Sequence, residues 1–119
     1  NEKLMIISDQ FGKPTSGLDL ASAVLRSLDH PSLFDFPLYH FAQEPTTSWY
    51  GFAQKILELS GGKSIIKPIA SSDFPIITQR PHHSVLGTKH IQKTLSLDIR
   101  NWEASLEECI NQIKANELL

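Results

Sequence analysis

The chain has 119 residues, of which 40% are hydrophobic and 20% charged, with a formal net charge of -2. That length suits one domain able to bury roughly two thirds of its unfolded surface, and the balance excludes a disordered or collagenous segment. Scattered lysines and arginines leave no basic face for nucleic acid, and the apolar runs stop far short of the ~20 residues that cross a bilayer. With no such span and no signal pattern at its start a cytoplasmic protein is expected, and the single cysteine, Cys109, which can make no internal disulfide, is compatible with that compartment.

The chain opens at Asn1 without an initiator methionine and enters an apolar run within three residues. It therefore reads as a fragment, 1–119, of a longer protein. "LMIIS" (Leu4 to Ser8) has the short β-branched character of a strand buried on both faces. "DQFGKPTSG" ends it. Leu18, Ala21, Leu25 and Leu28, widened by Leu20 and Val24, recur at helical spacing and predict a helix burying a broad face, with Ser16 and Asp19 as an acidic capping box. "DHPS" stops that helix, and "LYHFA" (Leu38 to Ala42) alternates as a second strand.

Hydroxyl caps at Thr46 to Ser48, apolar positions Trp49, Phe52, Ala53, Ile56 and Leu59, and the pair Gly61-Gly62 delimit a further helix. "SIIKPIA" is a short strand near an edge, because Pro68 cannot donate to a ladder. Residues 71–87 have no helical period and read as an ordered loop, with an extended piece around Ser84 to Leu86. Thr88 caps a short helix through Leu95. Trp102, Leu106, Cys109, Ile110 and Ile113 mark a final helix capped by Asn101 or Asp98.

Five histidines lack metal-ligand spacing. His40, inside an expected strand, reads as a core or half-buried residue, and Cys109 as a small buried hydrophobe. Trp49, with Tyr50 and Phe52 nearby, has the form of a base-stacking platform, but its place on the stripe of Ile56 favours core packing. Arg80 stands between Gln79 and Pro81 in the irregular segment. It is either a solvated surface charge or an anion ligand, since a guanidinium meets a phosphate through two parallel hydrogen bonds. There is no G-x-G-x-x-G, P-loop or Tyr-x-x-x-Lys in the chain.

Taken in order, "DQFGKPT", "YHFAQEPTTSWYGFAQKI", "FPIITQRPHHSVLGTKHIQ" and "NWEASLEECI" resemble the landmarks of the C-terminal part of dTDP-4-dehydrorhamnose reductases, which are extended short-chain dehydrogenases. The resemblance runs from about Leu4 to Ile113. It implies a mixed α/β fold, a truncated substrate-binding lobe with three to four helices and short strands, whose N-terminal Rossmann domain is absent here. The implied parent reaction is NADPH- or NADH-dependent reduction of dTDP-4-dehydro-L-rhamnose to dTDP-L-rhamnose for bacterial polysaccharide.

The family's catalytic tyrosine and lysine and its cofactor loop lie in the missing half. No catalytic, cofactor-binding or metal-binding residue is therefore assigned, and the fragment is expected to be inactive and to bind no cofactor. By the family's pattern Arg80 takes the pyrophosphate, and Gln10, Phe11 and Thr15 lie beside the sugar-nucleotide cleft as substrate-binding candidates. The expected partners are a dTDP-sugar, the chain's own N-terminal Rossmann domain and, through exposed apolar surface, a second copy; nucleic acid and membrane are not expected.

Two departures from the family stand out. Some members dimerise through magnesium held by acidic side chains, one of them just after the "PT" turn. Here Ser16, Gly17 and Leu18 follow that turn, so the metal is not carried over. The apolar pair Ile76-Ile77 replaces basic or small residues and suggests a contact surface. The alternatives are a non-catalytic regulatory subunit related to these reductases, an epimerase or reductase of another nucleotide sugar, and a binding module unrelated to sugars.

Overall fold

The structure is a computed structural model that describes residues 3–74, 78 and 80–116. Ile76, Ile77 and Gln79 lie outside the described residues. Strand β1 (Lys3–Ile7) pairs in parallel with the strand after the second helix, β4 (Ile65–Ile69), in the register Lys3 with Ile65 to Ile7 with Ile69. Pro68 sits opposite Ile6, where its missing N–H is tolerated because β4 is an edge strand, with one ladder among the described residues. A second, minimal ladder joins β2 (Phe11–Gly12) to β3 (Thr47–Ser48), antiparallel.

Helix α1 (Gly17–Ser27) starts where expected: the Ser16 hydroxyl accepts from the Asp19 amide at 3.3 Å. Only half of the capping box forms, because the Ser16 N–H donates to the Gln43 side chain and not to Asp19. Helix α2 (Trp49–Ser60) is capped by Ser48, whose hydroxyl accepts from Gly51 N. It ends at Gly61, which adopts φ 74°, a left-handed conformation that costs glycine nothing. A 3-10 turn (Ser71–Asp73) and helix α3 (Lys89–Thr94) follow, and α4 (Trp102–Ala115) begins at Asn101, whose side chain accepts from Glu103 N.

The described shape is a plate of 53 × 38 × 20 Å, with a radius of gyration of 17.0 Å. A compact globule of this length would have about 13–14 Å. A plate this thin has little interior, and that accounts for several departures from the sequence expectations. Strand β1 is not buried on both faces: Leu4 and Met5 are each 44% exposed, since among the described residues β4 is its one partner strand and α2 the helix packed on the pair. The α1 stripe is not buried either. Leu18, Val24, Leu25 and Leu28 are all exposed, while Ala23 and Ser27 turn inward.

Leu38 to Ala42 is not a strand: among the described residues it joins no ladder. Tyr39 and Phe41 instead pack against a core of Ala23, Ile91, Leu95 and Leu97, and the Tyr39 hydroxyl donates to the Ser32 carbonyl. His40 points outward and is exposed, as is Cys109 on α4, so neither is a core residue. The extended piece expected at 84–86 is displaced: the bridge forms between Phe11 and His83.

Candidate functional site

The connection after β1 is tied down at both ends. The Asp9 carboxylate accepts from both the backbone N–H and the hydroxyl of Ser71, fastening it to the turn that follows β4. The Ser71 hydroxyl, then its amide, holds the Asp9 carboxyl below its ordinary value against a smaller opposing effect of burial, with the nearby His82 ring adding to the lowering. Gln10 is 7% exposed and donates from Nε2 to the Ser71 hydroxyl at 3.0 Å. Phe11 N donates to the His82 carbonyl and Ser84 N donates back to the Phe11 carbonyl, so the segment after Arg80 lies beside β2. On the other side of β2, Phe11 pairs with Ser48 and Gly12 with Thr47.

These three segments wall a cleft of about 590 Å³. That volume falls within the range of small-molecule sites. Gln10, Phe11 and Thr15 line it from the opening loop, Trp49 and Phe52 from α2, and Arg80 from the irregular segment. All four residues singled out in the sequence therefore meet in one place, though they span 70 positions of the chain. Thr15 and Arg80 are exposed, and Phe11 is 42% exposed.

The electrostatics of the cleft are one-sided. Its charged lining residues, among those described, are Lys13 and Arg80, with no carboxylate. Lys13 is already engaged: its ammonium contacts the Glu44 carboxylate and donates to the Leu86 carbonyl at 3.1 Å, with its side chain 7% exposed. No ion pair with Arg80 forms among the described residues. A lone guanidinium at the wall of a cleft without acids suits an anion able to accept two parallel hydrogen bonds.

Behind the cleft lies a buried polar hub. Gln43 is 0% exposed; its Oε1 accepts from Ser16 N at 2.7 Å, and its Nε2 donates to Asp19 Oδ2 at 2.9 Å, Ser105 Oγ at 2.8 Å and the Arg100 carbonyl at 3.2 Å. The Ser105 hydroxyl donates in turn to Asp19. Burial, the largest single effect, pushes the Asp19 carboxyl up. Hydrogen bonds from Ser105 and Gln43, with the Arg100 charge, together outweigh it and hold that carboxyl below its ordinary value. Trp102 is 4% exposed, meets Phe52 edge-on at 5.5 Å and donates from Nε1 to the Pro45 carbonyl at 2.7 Å. The hub thus holds α1, the Gln43–Pro45 segment and α4 as one support for the cleft wall.

Sequence reasoning missed Lys13, Gln43 and Trp49 as parts of this site. For Trp49 the signal was present, since with Tyr50 and Phe52 nearby it had the form of a stacking platform, but its place on the stripe of Ile56 was read as burial. Trp49 is 58% exposed and lines the cleft, so core packing is not its role. Among the described residues no group of three or more His, Cys, Asp or Glu is placed to hold a metal ion, and no helix is long and apolar enough to cross a membrane.

The chain is 33% identical to a spore coat polysaccharide biosynthesis protein of Bacillus subtilis over 93% of its own length and 38% of that protein's. It superposes on a dTDP-4-dehydrorhamnose reductase from Clostridium acetobutylicum with a TM-score of 0.84 and 32% identity, covering 96% of this chain and 40% of that one. For the Bacillus anthracis dTDP-4-dehydrorhamnose reductase, solved in complex with NADP, the TM-score is 0.79 at 29% identity, with 91% and 37% covered. The chain thus spans about two fifths of the length of these relatives. With residues 1–115 matching the family described as RmlD substrate binding domain, the chain belongs to that family.

Proposed function

We propose that this chain is the nucleotide-sugar-binding lobe of a cytoplasmic NAD(P)H-dependent reductase that converts dTDP-4-dehydro-L-rhamnose to dTDP-L-rhamnose. The observation that carries the reading is the convergence of Arg80 with Gln10, Phe11 and Thr15 on one acid-free cleft, in a chain of a substrate-binding family. Arg80 binds the pyrophosphate through its two forward N–H groups. Thr15 and Phe11 face the remainder of the ligand, and Gln10, whose amide nitrogen is held by Ser71, sets the floor.

The residues of this chain do not build a dinucleotide site. The turn after β1 lacks the G-x-G-x-x-G pattern, and no Tyr-x-x-x-Lys pair occurs. Hydride transfer to the C4 ketone and protonation of the resulting alkoxide belong to the rest of the parent, so the lobe's share is binding and orientation. The exposed leucines of α1, and Phe34 and Leu38 at 91% and 67% exposure, are apolar surface available to the Rossmann domain or to a second copy of the lobe.

The test is Arg80→Ala in the full-length protein. Losing charged hydrogen bonds worth about 1.5–3 kcal/mol each should raise the Michaelis constant for the dTDP-sugar about ten- to a hundred-fold. Unchanged kinetics would rule out the pyrophosphate contact. Titration with dTDP- and UDP-sugars separates this substrate from other nucleotide sugars. The isolated lobe, given dTDP-4-dehydrorhamnose and NADPH, should oxidise no NADPH.

A further inference from the structure

Trp49 is a large apolar residue that the fold does not bury. Its neighbour one turn on, Phe52, is held edge-on against Trp102, and that contact joins α2 to α4 without it. The Trp49 ring is 58% exposed and faces the cleft.

Its backbone is nonetheless rigidly placed. Ser48 is at once the partner of Phe11 in the β2–β3 ladder and the cap of α2. A side chain at Gly51 would bring its Cβ within 2.5 Å of the Thr47 hydroxyl, so the glycine lets the first turn of α2 close tightly on β3. Trp49, the residue between, is thereby fixed beside Phe11 on the cleft that holds Arg80. A fixed, exposed aromatic ring in a cleft with a guanidinium that makes no ion pair among the described residues matches a ligand that is planar and apolar at one end and anionic at the other. A nucleoside diphosphate has that chemistry, and base–aromatic stacking tolerates any base.

We infer that Trp49 is the stacking platform for the base of the nucleotide, with Phe11 as the neighbouring aromatic wall and Arg80 on the diphosphate. The inference rests on the nucleotide-binding reading above and adds a specificity-determining residue to it. It separates the two ends of the ligand: the indole recognises the base, and the guanidinium recognises the phosphates.

The experiment titrates the full-length protein, as wild type, Trp49→Ala, Trp49→Phe and Arg80→Ala, with dTDP and with inorganic pyrophosphate. Trp49→Ala should weaken dTDP about ten- to a hundred-fold and leave pyrophosphate unchanged, while Trp49→Phe keeps most of the dTDP affinity. Arg80→Ala should weaken both probes. In the wild type dTDP, but not pyrophosphate, should quench a component of tryptophan emission that is missing from Trp49→Phe, a reading that holds even if the alanine variant folds poorly.

If Trp49→Ala binds dTDP normally while Arg80→Ala weakens both probes, the nucleotide site stands and the stacking role is overturned. If that variant weakens only the full dTDP-sugar, the ring contacts the sugar and the inference is likewise overturned. Equal weakening of dTDP and pyrophosphate by Trp49→Ala assigns the ring a structural role and overturns it too. An Arg80→Ala variant that binds both probes normally overturns the nucleotide site itself.

Discussion

Replacing Gln43 with alanine removes the amide on which α1, α4 and the cleft wall converge. The structure itemises the loss. Ser16 N–H, the cap donor at the start of α1, loses its acceptor at 2.7 Å, the Arg100 carbonyl loses a donor, and Asp19 loses one of the bonds that keep its partly buried carboxylate ionised. Taking about 1 kcal/mol for each of the three neutral bonds, to Ser16, Arg100 and Ser105, and about 1.5–3 kcal/mol for the one to the charge gives a destabilisation of about 4.5–6 kcal/mol. Measured against domain stabilities of about 5–15 kcal/mol, this is a large fraction of the total.

Urea denaturation of wild type and Gln43→Ala, followed by circular dichroism, should show a lower midpoint at unchanged slope. Gln43→Glu sharpens the test. Shape is kept, but a carboxylate now faces Asp19 where an amide nitrogen stood at 2.9 Å. The new glutamate has a raised pKa in the folded state, so its destabilisation is greatest at high pH and shrinks on acidification. A loss below about 1 kcal/mol for the alanine variant, or a glutamate penalty that does not shrink as pH falls, would refute the claim that this hub braces the site.

Further outcomes follow from the same geometry. Asp19 has a folded pKa below its unfolded value, so its contribution is present above about pH 4 and is lost as pH falls through the lower folded value; Asp19→Asn should flatten the acid limb of the urea midpoint against pH. Gly61→Ala forces a side chain into the left-handed region at φ 74° and should cost about 1 kcal/mol, lowering the melting temperature by about 3–6 °C. Leu25, 67% exposed on α1, should accept glutamate with little change in the lobe's own urea midpoint; in sedimentation of the isolated lobe, Leu25→Glu should abolish any self-association of the wild type, and an associated variant would move that contact off α1.

Much of the local structure was legible because its signals are local. Ser48 and Gly61 bracket α2, Asn101 opens α4, and the order of "DQFGKPT", "TTSW" and "QRPHHS" carried both the family and the four cleft residues. A cap, a left-handed glycine and a helical period each involve neighbours within a few positions, so they survive without knowledge of the fold.

Periodicity alone, however, says that a face is apolar and not what covers it. Leu18 and Leu25 lie on a true stripe that none of the described residues covers, and Trp49 shares a stripe with Ile56 yet opens into the cleft. Leu38 to Ala42 alternates like a strand, but a strand exists only where a second backbone supplies the ladder. The hub is the plainest case: Gln43 reaches Ser16, Asp19 and Ser105, separated from it by 27, 24 and 62 positions. Sequence determined the helices, the β1 and β4 strands and four of the residues that line the cleft. Tertiary structure alone decided which apolar faces stayed open and which polar side chains were buried together, because both depend on what distant segments bring alongside.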